Sequence, residues 1–230
     1  MQLKAGQLCV LIGPNATGKS TLLRLLIGQN QPWSGTVTLD GHHVDQMATG
    51  QRAQWISYVP QRATAHLAFT VRQVVEMGRH ALSPHPQAVD QALNTCDLVS
   101  LGDQVYAQLS VGQQQRVLVA RALTQAAGQG RVMLLDEPGS DMDPYHLHQT
   151  MRSLLGVARS GMAVLVVLHD LNVAARYADT VCLMDQGQIV ASGPWDSVLC
   201  PEVLEPVYRV LIQTVSDQNH DRPIFRIEPG

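Results

Sequence analysis

Lysine is almost missing from this chain: Lys4 and Lys19 are the only two among 230 residues. A chain that meets its other basic needs with arginine keeps lysine where a compact ammonium is wanted. Aromatic residues make up only 4% of the sequence, and none precedes Gly13. There is no excess of basic charge. At a net charge of −3 the chain lacks the footprint of a nucleic-acid binder. Long apolar runs are missing too. The longest, Met162 to Leu168, is far too short to span a bilayer. A secretory leader is not expected, because the start MQLKAGQLCVLIG has no charged n-region. Cysteine is sparse and scattered at Cys9, Cys96, Cys182 and Cys200, with no CxxC pair. That usage points to a reducing compartment and away from a zinc site. The histidines, including His42-His43 and His146/His148, read as solvated or core residues rather than metal ligands.

What is present begins at Lys19. It lies in Gly13-Pro14-Asn15-Ala16-Thr17-Gly18-Lys19-Ser20, a glycine, four residues, then Gly-Lys-Ser. Before it, Gln7 to Ile12 reads as a buried strand; after it, Ser20 to Ile27 reads as a helix ended near Gly28. Strand, glycine-rich loop and helix form the setting in which this pattern cradles phosphate. Small residues let backbone N–H groups turn inward, and the helix N-terminus adds its positive end. Lys19 would reach the β- and γ-phosphates, and the Ser20 hydroxyl would ligate Mg²⁺.

Elsewhere, strand-like runs alternate with helical patterns. Gly35 to Asp40, Trp55 to Val59, Arg131 to Leu135 and Met162 to Leu168 read as strands, the last two buried on both faces of a parallel sheet. Thr180 to Asp185 and Gln188 to Ala191 form a hairpin through Gln186-Gly187. Asp143 is placed as an N-cap with Pro144 at the first helical position. Leu147, Met151, Leu154, Leu155 and Ala158 then make one apolar stripe, read as core packing. From 62 to 127 the pattern is helical, with helices over Thr70 to Gly78 and Gln87 to Asp97 on either side of Pro84-His85-Pro86. The expected fold is an α/β phosphate-loop core, residues 1–61 and 128–230, with a mostly parallel sheet and an inserted helical subdomain, residues 62–127.

Two acids close the strand Met133-Leu134-Leu135, Asp136 and Glu137. Ligands sit at strand ends of parallel sheets. Asp136 would complete the Mg²⁺ shell opposite Ser20. Glu137 could polarise a water for attack on the γ-phosphate, as a general base. Leu109-Ser110-Val111-Gly112-Gln113-Gln114-Gln115-Arg116 resembles the LSGGQ-type signature of ATP-binding-cassette (ABC) ATPases. The whole order agrees with that family: phosphate loop, Gln61 after a strand, signature, Asp136-Glu137, Asp143 in the following loop, and His169 after the next strand.

The resemblance implies ATP and Mg²⁺ as ligands and a head-to-tail pair of identical chains. Each nucleotide lies between one copy's phosphate loop (Gly13, Pro14, Asn15, Ala16, Thr17, Gly18, Lys19, Ser20 and Thr21) and the other's Ser110, Gly112, Gln113 and Asp143. Ser110 also reads as a plain N-cap, and both roles stand. By the same resemblance Gln61 links Mg²⁺ and attacking water to the helical subdomain, and His169 contacts the γ-phosphate. The stretch Arg62 to His80 would meet an integral-membrane permease. The chain would then lie at the cytoplasmic face of the cell membrane, with a periplasmic substrate-binding protein as an indirect partner.

Thr70 to Arg79, Val167 to Asp179 and the extra residues 125–130 resemble importers of iron chelates, haem and cobalamin, which orders the cargo as haem, then ferric siderophore, then cobalamin. A soluble cassette of DNA repair or translation, a weakly hydrolysing nucleotide-binding module and a small-molecule kinase are the competing readings. The kinase leaves the signature and His169 unexplained.

Four departures from the family pattern carry expectations of their own. Ala16 stands where a glycine is usual. Val111 replaces a signature glycine and would strain the loop if that position needed positive φ, lowering hydrolysis. Asp141, in Gly139-Ser140-Asp141-Met142-Asp143, adds negative charge near the expected dimer interface. Relatives carry a strand pair and an adenine-stacking aromatic ahead of the phosphate loop; here those first strands look truncated, at a loss of roughly 1–3 kcal/mol of stacking.

Overall fold

The computed structural model describes residues 1–61, 68–216 and 221–228. The chain opens on β1 (Leu8–Ile12), buried at all five positions, and turns through the glycine-rich loop into α1 (Lys19–Leu26). Leu8, Val10 and Ile12 pack on one face of the sheet and Cys9 and Leu11 on the other, so a strand covered on both sides reads as an unbroken apolar run. A two-residue ribbon follows, β2 (Thr38–Leu39) paired antiparallel with β3 (His42–His43). The strand expected over Gly35 to Asp40 shrinks to this ribbon because Gly35 and Asp40 both sit at positive φ, 77° and 48°, outside the extended region. Next come α2 (Thr49–Trp55) and β4 (Ile56–Val59); Trp55 closes the helix instead of opening the strand.

The middle of the chain is helical, as expected: α3 (Val71–Glu76), α4 (Pro86–Thr95) and α5 (Val111–Ala126). Thr70 and Ser110 each close a capping box, with Gln73 and Gln113 as reciprocal partners. Gly78 lets the segment after α3 lie against α5, since a Cβ there would meet the Arg121 carbonyl oxygen at 2.3 Å. Residues 62–67, part of the expected permease-contacting stretch, lie outside the described residues.

The chain then returns to the sheet through β5 (Val132–Asp136), α6 (Pro144–Arg159), β6 (Ala163–Val167), α7 (Leu171–Tyr177), β7 (Thr180–Asp185) and β8 (Gln188–Pro194). The six strands run in the order β4-β5-β6-β1-β7-β8, all neighbours parallel except the β7–β8 hairpin. This is the expected α/β class. Strands β1, β5 and β6 lie side by side in the centre, so the loops after Ile12, Asp136 and Val167 open on one edge. Phosphate loop, acid pair and His169 therefore meet there.

Past β8 the sequence reading made no assignment. The structure adds α8 (Trp195–Val198), α9 (Pro201–Tyr208) and an antiparallel hairpin of β9 (Leu211–Val215) and β10 (Ile224–Glu228). Phe225 is buried, and the Asn172 amide of α7 bonds both its N–H and its carbonyl, at 2.7 and 3.2 Å. At the other end, residues 1–7 hold no strand, and a cleft of about 570 Å³ beside them is lined by Leu3, Leu22, Leu26, Val37 and Ile56.

Asp179 ties three parts of this frame together. Its carboxylate accepts from the Leu8 N–H at 2.8 Å and from the Arg159 guanidinium at 2.7 and 3.0 Å. Burial alone would raise this carboxyl, but the Arg159 and Leu8 donors outweigh it and hold it below the ordinary range. A depressed folded-state pKa gives stability that is present above the unfolded value and lost as pH falls through the folded one. Asp179→Asn should therefore cost about 1 kcal/mol at pH 7, discounted for the exposed arginine, and almost nothing once both forms are protonated. Urea titrations of both proteins at pH 7 and in acid check this.

Candidate functional site

The phosphate loop takes its shape from three positive-φ residues: Gly13 at 148°, Ala16 at 62° and Gly18 at 98°. At Gly13 no side chain fits, because a Cβ would lie 2.1 Å from the Met184 carbonyl oxygen of β7. Ala16 holds a left-handed conformation that costs an L-residue roughly 1–2 kcal/mol, so its methyl is a source of strain in a loop that keeps its N–H. Thr17 Oγ1 donates to the Pro14 carbonyl at 3.0 Å, and the Gly187 N–H donates to the Thr17 carbonyl at 3.1 Å, fixing the loop on the β7–β8 turn. Lys19 is buried, and its Nζ donates to the carbonyls of Gly13 at 2.9 Å and Pro14 at 2.8 Å. Burial lowers its pKa, partly offset by Glu137 and Asp136. The ammonium is thus folded over the loop's own carbonyls, with two acids nearby.

Asp136 ends β5, 3% exposed, and its Oδ1 is buried with no hydrogen-bond partner among the described residues. Burial pushes the carboxyl above the ordinary range, and the nearby Ser20 hydroxyl offsets part of that rise. A buried acceptor left open beside a hydroxyl is a donor set suited to a hard divalent cation. Ser20 and Asp136, expected together from sequence, are therefore adjacent and fit Mg²⁺.

Glu137 leaves the strand in a left-handed conformation, φ 49°, which turns its side chain off the β5 line. Its carboxylate is held from two sides. Gln61 Nε2 donates to Oε2 at 2.6 Å, and His169 Nε2 lies 2.5 Å from Oε1. Gln61 follows β4 and His169 follows β6, so β4, β5 and β6 each deliver one member of this trio. His169 is placed by its successor: Asp170 caps α7, its Oδ1 accepting from Asn172 N–H at 2.7 Å and Val173 N–H at 3.1 Å.

The signature residues stand elsewhere. Ser110 and Gln113 are tied to each other at the start of α5, and Val111 is the first residue of that helix, 59% exposed. Its φ is not positive, so the strain expected at Val111 is absent: an N-terminal helical residue has a backbone that a β-branched side chain accepts. Gly112 has a different reason. A Cβ there would meet the Asp141 carbonyl oxygen at 2.4 Å, so the loop 139–143 rests directly on the signature helix. Asp143 caps α6, accepting from the His146 N–H at 3.0 Å. Its pKa is held below the ordinary range by that bond and by the His146 ring. Within the chain, Ser110, Gly112 and Gln113 open α5, and the loop that ends in Asp143 rests on that helix at Gly112.

Sequence reasoning missed the contact of the signature helix with loop 139–143 and the His146 link to Asp143. The only signal was Gly112 itself, and a glycine inside a helical pattern hints at close approach without naming the partner.

The ABC transporter family matches residues 1–140. The hemin import ATP-binding protein HmuV of Pseudomonas fluorescens (strain Pf0-1) is 42% identical over 98% of this chain and 92% of its own length. Among solved structures, cbiO1 of Clostridium perfringens, part of the ABC transporter complex cbiONQ, superposes with a TM-score of 0.74 at 26% identity, over 90% of this chain and 84% of that one. A dimeric ATP-binding cassette in a post-hydrolysis state bound to ADP and Pi gives 0.76 at 25% identity, over 85% and 88%. A phosphate loop on β1, an acid pair on β5 and a match to that family over more than half its length place this chain in the ABC transporter family.

Proposed function

We propose that the chain hydrolyses ATP as the energy-coupling subunit of an importer, with hemin as the cargo, and that it works as a pair of identical copies on the cytoplasmic face of the cell membrane. The observation that carries hydrolysis is Glu137, held between Gln61 and His169 beside the phosphate loop. The loop N–H groups of Gly13 and of residues 15–20, with the Thr21 N–H at the start of α1, bind the phosphates of one ATP, and Lys19 exchanges its two carbonyl partners for phosphate oxygens. Ser20, Asp136 and Gln61 hold Mg²⁺, which supplies charge neutralisation on the phosphate oxygens when bound.

Glu137 takes the proton of the attacking water as general base. His169 keeps the carboxylate turned toward that water and contacts the γ-phosphate. Ser110, Gly112, Gln113 and Asp143 of the second copy close the other side of the nucleotide, and the dimeric relative bound to ADP and Pi supports such a pair. The helical subdomain faces an integral-membrane permease, which a periplasmic binding protein supplies. Names of the hemin-import relatives support the cargo, with ferric siderophore and cobalamin behind it.

The test is uptake. Proteoliposomes holding this chain and its permease should accumulate hemin when ATP is inside, and Lys19→Ala should abolish accumulation. Accumulation of cobalamin or a ferric siderophore in place of hemin would reassign the cargo, and uptake without ATP would end the proposal.

A further inference from the structure

His146 sits between two carboxylates that belong to different parts of the molecule. Its Nδ1 lies 2.6 Å from Asp143 Oδ2, on the loop that rests against Gly112. Its Nε2 lies 3.5 Å from Asp97 Oδ2, at the end of the helical subdomain's α4. Asp97 is itself placed with care. It holds a left-handed backbone, φ 52°, and the buried Arg116 of the signature helix donates to its carbonyl at 3.0 Å and approaches its carboxylate at 3.5 Å. The chain of contacts runs Asp143, His146, Asp97, Arg116. It starts in the loop after β5 and ends on the helix that carries Ser110 and Gly112. The Tyr145 ring stands edge-on to the imidazole at 5.2 Å, and the imidazole side chain is only 22% exposed.

We infer that His146 is a positioning residue for ATP hydrolysis: its imidazolium form fixes the loop 139–143 against the helical subdomain. The physical reason is donor count. An imidazolium has two N–H donors and faces two carboxylates, so both contacts are favourable. A neutral imidazole has one donor. The short contact to Asp143 retains it, and the Nε2 lone pair then opposes the Asp97 carboxylate. Arg116 and Asp97 on one side and Asp143 on the other are the charged groups facing the ring. The protonated ring therefore satisfies both carboxylates and the neutral ring only one, so acid favours the strut and alkali releases it. The inference rests on the proposal that Asp143 and the signature face a second copy's nucleotide.

Two measurements test it, one without nucleotide. In a double-mutant cycle of His146→Gln and Asp97→Asn, urea unfolding constants at pH 6 should be non-additive by about two- to five-fold, and additive at pH 8.5. An additive cycle at pH 6 overturns the strut, whatever the nucleotide geometry. In steady-state hydrolysis, kcat of His146→Gln should be about three-fold below the parent at pH 6 and equal to it at pH 8.5, with KM for ATP unchanged within two-fold. A coupled cycle with an equal kcat deficit at both pH values overturns the positioning role and leaves a merely structural contact. If the parent forms no ATP-dependent dimer, the reading of the second copy's site has failed instead, and the unfolding cycle still decides the strut.

Discussion

Glu137→Gln should lower the rate of ATP hydrolysis by about 10²- to 10⁴-fold, the span of a lost general base, while ATP still binds. The substitution keeps the shape of the side chain and its reach to Gln61 and His169, so the phosphate loop and the Ser20–Asp136 pair are untouched. What it removes is the capacity to take a proton from water. The two contacts at 2.6 and 2.5 Å make this a clean test, because they hold the carboxylate in one place before nucleotide arrives. Steady-state kcat with KM for ATP separates the effects: kcat falls, and KM stays within a few-fold. A loss smaller than ten-fold in a parent that hydrolyses ATP would place the base elsewhere. A parent that binds ATP but does not hydrolyse it would turn the chain into a nucleotide-binding module.

Gly112→Ala should separate the signature from the loop 139–143. The added methyl meets a backbone oxygen at 2.4 Å, and neither partner is a flexible side-chain end. Overpacking of this kind costs about 1–3 kcal/mol, against a gain of roughly 1 kcal/mol in helix propensity over glycine. The protein therefore folds at slightly reduced stability, or the loop moves and carries Asp143 with it. In either case kcat should drop ten-fold or more, with KM for ATP little changed, because residues 13–20 make their contacts elsewhere. Gly156→Ala in α6 is the matched control. Its Cβ meets nothing within 4 Å, so it should gain stability and leave kcat unaltered. Equal effects at the two positions would mean that the close approach at Gly112 carries no function.

Strands buried on both faces, such as Leu8–Ile12 and Val132–Asp136, were legible as apolar runs because every residue in them meets a core. Caps were legible for a local reason: Ser110 and Asp143 bond N–H groups within three residues. The strand expected over Gly35 to Asp40 is cut down to a short ribbon since both its end residues lie at positive φ, and alternation of residue types cannot report a dihedral. The C-terminal hairpin is held by Asn172 and Phe225, 53 positions apart, a pairing that no local pattern encodes. In the site, Lys19, Ser20, Asp136 and Glu137 could be read from motif spacing. The left-handed turn at Glu137 could not, because residue type does not report a dihedral, and the resting of Gly112 on Asp141 and the His146–Asp97 contact could not, because each joins segments from different parts of the chain. The strain anticipated at Val111 is absent because Val111 is the first residue of α5 and its φ is not positive.

The central claim is that each ATP is hydrolysed between the phosphate loop of one copy and the signature of the other. Mixing two inactive variants tests it most directly. Lys19→Ala disables the phosphate loop. Ser110→Asp keeps an N-cap for α5 but sets a carboxylate against the γ-phosphate. Each alone should hydrolyse ATP at a few per cent of the parental rate or less, by about the loss typical of a displaced catalytic group. In an equimolar mixture, about half of the pairs are mixed, and each mixed pair holds one intact site of two, so activity should return to at most about a quarter of the parent's. A mixture no more active than the sum of its two components would contradict a site shared between copies.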